Sequence, residues 1–168
     1  MLKRLCICLL CTVFVVTAGY FIYADKSGLF LEDDEQAKAL IDEYVTSVIK
    51  NYTDDGKQSF RGIVKQGCDF WYLNDYKSRN IAKSHSEGTG LEVDMADYSI
   101  DYHSINYRNK QYTIDATVTK IIRYRNTSET DTTVSRHIFT IEQDGCEMYI
   151  VNDEKYDEFV STETRDTP

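Results

Sequence analysis

The spacing of apolar residues changes period once along this chain, and that change decides its fold class. From Ala37 onward, Leu40, Ile41, Tyr44, Val45, Val48, Ile49 and Tyr52 recur at three- and four-residue intervals, the spacing of one helical face. Asp33 with Gln36 has the form of a capping box at the start of this helix, and Lys38, Asp42, Glu43 and Lys50 fall on the opposite, solvent side. Asp54-Asp55-Gly56 ends it. Phe60, Ile63 and Val64 predict a short second helix closing near Gly67. A third is expected from about Phe70 to Ser84, where Leu73, Tyr76, Lys77, Asn80 and Ile81 share a face, followed by a glycine-containing loop, Ser86–Gly90.

From residue 91 the period is two. Tyr98, Ile100 and Tyr102 alternate with Ser99 and Asp101; Ile105 and Tyr107 then appear on the other parity, which predicts a bulge near His103 and Ser104. Asn109-Lys110 is a turn. Tyr112, Ile114, Ala116, Val118, Ile122 and Tyr124 make the clearest strand, residues 126–132 a polar hairpin loop, Val134–Glu142 the returning strand, and Asp144-Gly145 a turn into a last strand, Met148–Asn152. Helices first and an antiparallel meander afterwards is an α+β arrangement in which a curved sheet wraps the long helix. The domain is expected over residues 33–160, with a polar, disordered tail at 161–168.

Residues 5–24 (LCICLLCTVFVVTAGYFIYA) carry no charge, and as a helix they reach about 30 Å, the thickness of one hydrocarbon core. Lys3 and Arg4 precede the run and Glu32–Glu35 follows it, so the positive-inside bias puts the N-terminus in the cytoplasm and the body outside. Residues 1–24 are read as a membrane anchor, with a cleaved signal peptide as the alternative, because Val16-Thr17-Ala18 and Ile22-Tyr23-Ala24 both offer small-residue cleavage sites. Residues 25–32 form a short linker. Cys8 and Cys11 lie inside the apolar run and read as small membrane-helix hydrophobes.

The 168 residues carry 19 Lys and Arg against 28 Asp and Glu, a net charge of -9, and no basic stripe interrupts the acidic body. Nucleic acid and anionic membrane surfaces are therefore excluded as partners of the body.

The residues Phe60-x-x-Ile63-Val64-Lys65, Phe70-Trp71-Tyr72-Leu73, Tyr112-x-Ile114-x-Ala116-x-Val118 and Asp144-Gly145 leading into Tyr149-Ile150-Val151-Asn152-Asp153, taken in this order, resemble the nuclear transport factor 2-like superfamily. That resemblance implies a cystatin-like or nuclear transport factor 2-like cone: one long helix and shorter ones packed on a curved sheet. The nearer likeness is to small extracytoplasmic domains of Gram-positive, spore-forming bacteria, among them the non-catalytic region of cell-wall amidases. Tyr149 stands where such domains more often have tryptophan. Little chain follows the last strand, so amidase activity is not expected to carry over. The layout of a short cytoplasmic tail, one span and a cone outside is also that of anchored domains in conjugation and secretion channels, by analogy of architecture alone.

No histidine pairs with another at metal-ligand spacing, so no metal site or cofactor is expected among His85, His103 and His137. His137 or His103 beside Asp101 or Asp115 is the candidate general base; the alternative is that these are structural or surface histidines. Tyrosine is in excess at 13 residues, and in a cone Tyr44, Tyr72, Tyr98, Tyr102, Tyr112 and Tyr124 are the candidates to line an open end as a ligand pocket; the alternative is that these rings cap the core. Cys68 and Cys146 are the body cysteines, a candidate disulfide outside the cytoplasm, with two free thiols as the alternative. Asn51-Tyr52-Thr53 and Asn126-Thr127-Ser128 match a glycosylation triplet at the rate expected by chance.

The function expected is that of a non-enzymatic envelope domain that binds another envelope protein or a second copy of itself. A ligand-binding or weakly catalytic cone, and an accessory to a separate cell-wall hydrolase, are the alternatives.

Overall fold

The long amphipathic run forms α1, Leu31–Thr53, whose Ala37, Ile41, Tyr44, Val45 and Ile49 are buried as the period requires. Asp33 and Gln36 lie inside this helix, so they do not cap its start. The computed structural model describes residues 31–53, 59–88, 92–125 and 129–164. The apolar run 5–24 and most of the expected linker fall outside them; among the described residues no helix is long and apolar enough to cross a membrane. The chain divides into Met1–Gln36 and Ala37–Pro168, and the architecture below is that of the second unit.

The expected short second helix is absent. Phe60 O accepts from both Ile63 N (3.1 Å) and Val64 N (2.9 Å), which closes a single turn, and Gly62 at φ +86° and Gly67 at φ +80° leave the helical region on either side of Val64. Ile63 O and Lys65 N instead bond Ile150 at 2.9 and 3.0 Å, adding a one-residue parallel bridge to the sheet. Next comes α2, Asp69–Ser86. Cys68 is its N-cap: the Cys68 carbonyl accepts from Tyr72 N, and Cys68 Sγ accepts from Trp71 N at 3.4 Å.

Four strands follow, β1 (Val93–Arg108), β2 (Gln111–Tyr124), β3 (Glu129–Asp144) and β4 (Glu147–Thr164), paired antiparallel in the order β1-β2-β3-β4. The fold is therefore α+β. At the first hairpin, Asn109 and Lys110 take φ of +55° and +63°, the double positive-φ signature of a type I′ turn. β3 opens at Glu129 rather than Val134, and β4 runs to Thr164 rather than stopping at Asn152, so Ser161–Thr164 is strand where a disordered tail is expected. Both extensions lack apolar alternation; the ladder from Ser135↔Glu158 to Glu129↔Thr164 holds the outer ends of the two strands.

The β2–β3 ladder runs without a register shift. The shifts fall on the two edge strands: at Asp94 and His103 in β1, the second where the change of parity predicts it, and at Val151 and Asp157 in β4. Asp157 has φ +52°, the left-handed conformation that accommodates an extra residue.

One core joins α1, the 60–64 turn and Phe70 to the inward row of Tyr112, Ile114, Ala116 and Val118 on β2, Phe139 and Ile141 on β3, and Ile150 on β4. Buried polar bonds pin the helices to each other and to the sheet. Asn51 Nδ2 donates to Ser78 Oγ (3.0 Å), and Tyr102 Oη donates to the Lys38 carbonyl (3.1 Å). Asn51 is buried in that contact, which places its glycosylation triplet out of reach of modification.

Candidate functional site

The inward rows of the sheet stop being apolar toward one end. On β2 the row Tyr112, Ile114, Ala116, Val118 continues with Lys120; on β3 the row Ile141, Phe139 continues with His137 and Ser135. On β4, regular alternation after inward Ile150 would turn Asn152 and Glu154 to the helices. The bulge at Val151 shifts the parity by one, so that Asp153 pairs with Phe139 and Lys155 with His137, and these two side chains face inward instead.

A pocket of about 250 Å3 opens there between α1, α2 and the sheet. Its wall is Tyr44, Val45 and Val48 of α1, Phe70 of α2, Val118 of β2 and Phe139 of β3. Tyr52, Leu73 and Lys77 stand at the outer rim with Lys155, and Lys120 reaches in from β2. At the inner end His137 Nδ1 lies 2.6 Å from Asp153 Oδ1, and His137 Nε2 lies 2.8 Å from Ser135 Oγ. His137 also stacks on Phe139, ring centres 5.4 Å apart. Tyr44 Oη donates to Asn74 Oδ1 at 3.3 Å, and Asn74 is held by the Phe70 carbonyl. Burial first, and then the Asp153 carboxylate, push the Tyr44 phenol well above its ordinary value, so it stays a neutral hydrogen-bonding group.

Ser135, His137 and Asp153 are connected in the order of a hydrolytic triad, but the geometry does not serve one. Ser135 is 0% exposed and does not line the pocket, so its hydroxyl is out of reach of a substrate carbonyl. His137 Nε2, the nitrogen that would act as base in such a triad, is spent on that sealed hydroxyl.

The charge at the mouth runs against the protein's acidic balance. Lys77, Lys120 and Lys155 all line this pocket. Lys155 Nζ pairs with Glu158 Oε2 at 2.7 Å, whereas Lys77 and Lys120 have no ion-pair partner among the described residues. Burial first, and then the Lys155 ammonium, pull the Lys120 pKa below its ordinary value.

Of the six tyrosines expected to line a cone, only Tyr44 does. Tyr72 is 59% exposed on α2, packed edge-on against Trp71. Tyr98 and Tyr102 reach across to α1, where Tyr98 Oη bonds Thr46 Oγ1 at 2.7 Å. Tyr112 is in the core beside Tyr107, and Tyr124 Oη donates to Asp131 Oδ2 at 2.9 Å. Tyr98, Tyr102 and Tyr124 spend their hydroxyls on neighbouring elements, so of the pocket's lining only Tyr44 and the rim residue Tyr52 are tyrosines.

Of the acid–base pairs read from the sequence, His103 lies close enough to Asp115 to help Arg136 lower its carboxyl pKa. Asp115 is occupied by Arg136, whose Nε and Nη2 sit 2.9 and 2.5 Å from its two oxygens on the outer face. His103, at the β1 bulge, bonds Thr117 Oγ1 at 2.7 Å, and the carboxylate beside His137 is Asp153. The His85 side chain lies outside the described residues. Cys68 and Cys146 are free thiols: Cys68 Sγ donates to the Lys65 carbonyl at 3.0 Å, while Cys146 is exposed in the β3–β4 turn. Cys68 packs near Val151, and the stretch of β4 between Val151 and that turn, at about 3.4 Å per residue, separates the two thiols. Among the described residues no three His, Cys, Asp or Glu side chains form a metal-ligand group.

The signal for the pocket residues was the break in the inward rows: Lys120 shares the parity of Val118 and Ile122, and Ser135 and His137 that of Phe139 and Ile141. No family model matches this sequence, nor does any curated protein or solved structure.

Proposed function

We propose that this chain is a tethered, non-enzymatic, extracytoplasmic domain of the nuclear transport factor 2-like type, which binds a small ligand at the bacterial cell envelope. The observation that carries the binding reading is the pocket of about 250 Å3 whose inner end is sealed by the buried pair of His137 and Asp153. A cavity of 150 Å3 is enough for a benzene-sized molecule, which sets the scale of the ligand at a single ring or small acid rather than a lipid. The satisfied imidazole and buried Ser135 favour binding over chemistry. The order of two helices and then a four-stranded meander supports the family reading, and the apolar run 5–24 is the tether. The test is ligand-observed NMR of the full-length chain in micelles with small uncharged aromatic fragments, against Val48→Phe, which fills the pocket from α1. Fragments are expected to bind the native chain and to be lost from a Val48→Phe chain of unchanged melting temperature. Equal binding to both, or binding to neither, overturns the reading.

A second reading, contact with another envelope protein or a second copy, is favoured by one observation: Phe159 and Val160, side by side on edge strand β4, are 67% and 54% exposed. Cross-linking of the full-length chain in its native membrane is expected to give an adduct that Phe159→Lys abolishes. An adduct that survives the substitution places the contact elsewhere.

A further inference from the structure

Three lysines around one small pocket are unexpected in a chain with a net charge of -9, and the most buried of them carries the argument. Lys120 occupies an inward position of the central strand β2, directly in line with Val118, Ala116 and Ile114. An apolar residue there would extend the core. An ammonium instead is partly desolvated and stands beside Lys155 and Lys77 at the pocket, with the carboxylates of Glu158 and Asp153 offsetting only part of that cost. Among the described residues no carboxylate pairs with it: Asp153, in the pocket wall, is committed to His137, and Glu158, outside the pocket, to Lys155. A half-buried, unpaired cation beside two others costs stability unless something anionic visits the site.

We propose that the pocket binds a small oxyanion with an apolar body, its charged group held among Lys120, Lys77 and Lys155 and its body laid against Val48, Val118 and Phe139. This rests on the ligand-binding reading above and names the class of ligand. The rim supports it. Tyr52 and Leu73, both partly exposed, sit beside Lys77, so an entering molecule meets apolar surface and positive charge together. The aromatic wall and the pocket volume suit one ring or a short chain, and the lysines suit a carboxylate or a phosphate ester alike.

Benzoate, phenyl phosphate and the neutral isostere benzyl alcohol, titrated into the full-length chain in micelles by NMR, separate these chemistries. Either anion is expected to bind about tenfold or more tightly than benzyl alcohol, and to weaken as salt is raised. Whichever anion binds more tightly identifies the headgroup. Lys120→Met, which keeps the stem and removes the charge, is expected to erase the preference for the anion while leaving benzyl alcohol within about twofold. Lys77→Met, at an exposed helical position that tolerates substitution, is expected to weaken the anion by about threefold and serves if Lys120→Met does not fold. Lys83→Met, farther along α2 and paired with Glu87, is the control and leaves binding unchanged. Equal affinity for benzoate and benzyl alcohol, or anion binding untouched by Lys120→Met and Lys77→Met, overturns the oxyanion assignment while the pocket reading stands. If none of the three binds, both fall.

Discussion

Lys120 makes a residue-scale prediction that separates a functional side chain from a structural one. Burial first, and then the Lys155 ammonium, disfavour its charge, so Lys120→Met is expected to leave the melting temperature unchanged or raise it, in contrast to most substitutions of a half-buried residue. Thermal unfolding of the two chains checks this. Phe139 is the opposite case: it is 0% exposed, meets Tyr44 edge-on at 6.3 Å between ring centres and backs His137. Phe139→Ala is expected to cost about 3–5 kcal/mol in urea unfolding, and to destroy the pocket with it. On the outer face, the Arg136 guanidinium holds the Asp115 carboxyl below its ordinary value of 3.8. A carboxylate whose folded-state value is lowered contributes stability above its unfolded value and loses it as pH falls through the folded one. Asp115→Asn is therefore expected to lower the melting temperature at neutral pH, with the difference vanishing in strong acid. The effect is small, because the pair is exposed and solvent screens it.

At the scale of elements, the two helices and the first hairpin were legible because their signals are local. The heptad-like spacing of Ala37, Ile41, Tyr44 and Val48 needs only the chain's own periodicity, and the parity change after Tyr102 marked the His103 bulge for the same reason. The segment after Phe60 reads as a helix because its apolar spacing is helical, whereas Gly62 and Gly67 take φ values that a helix excludes. The outer half of β4 is not legible because Glu154, Lys155, Asp157 and Glu158 carry no alternation; that strand exists by pairing with β3. The Asn109-Lys110 turn supports an element-scale prediction. Lys110 at φ +63° is a side chain in the left-handed region, and Lys110→Gly is expected to stabilise the fold by about 0.5–1 kcal/mol in urea unfolding.

At the scale of the whole molecule, regularity is concentrated in the middle of the sheet and irregularity at its edges. β2 and β3 pair without interruption and carry the most buried side chains, whereas both edge strands are bulged, which bends the sheet and blunts its open edges. Amide hydrogen exchange is accordingly expected to be slowest at Ile114–Val118 and Phe139–Ile141 and fastest in β4 beyond Asp157; uniform protection along β4 would contradict this. What the amino-acid sequence determined by itself was the α+β class, the position of the long helix, the meander and the acidic character of the body. Each follows from periodicity or composition, which are properties of neighbouring residues. What only the tertiary structure decided was the pocket. The extra residue at Val151 exchanges Asn152 and Glu154 for Asp153 and Lys155 on the inward face, and pairing with β3 then sets Asp153 against His137 and brings Lys155 beside Lys120. A strand's pattern shows which residues share a face, but the register shift that swaps the faces depends on a partner strand, and no local spacing encodes it.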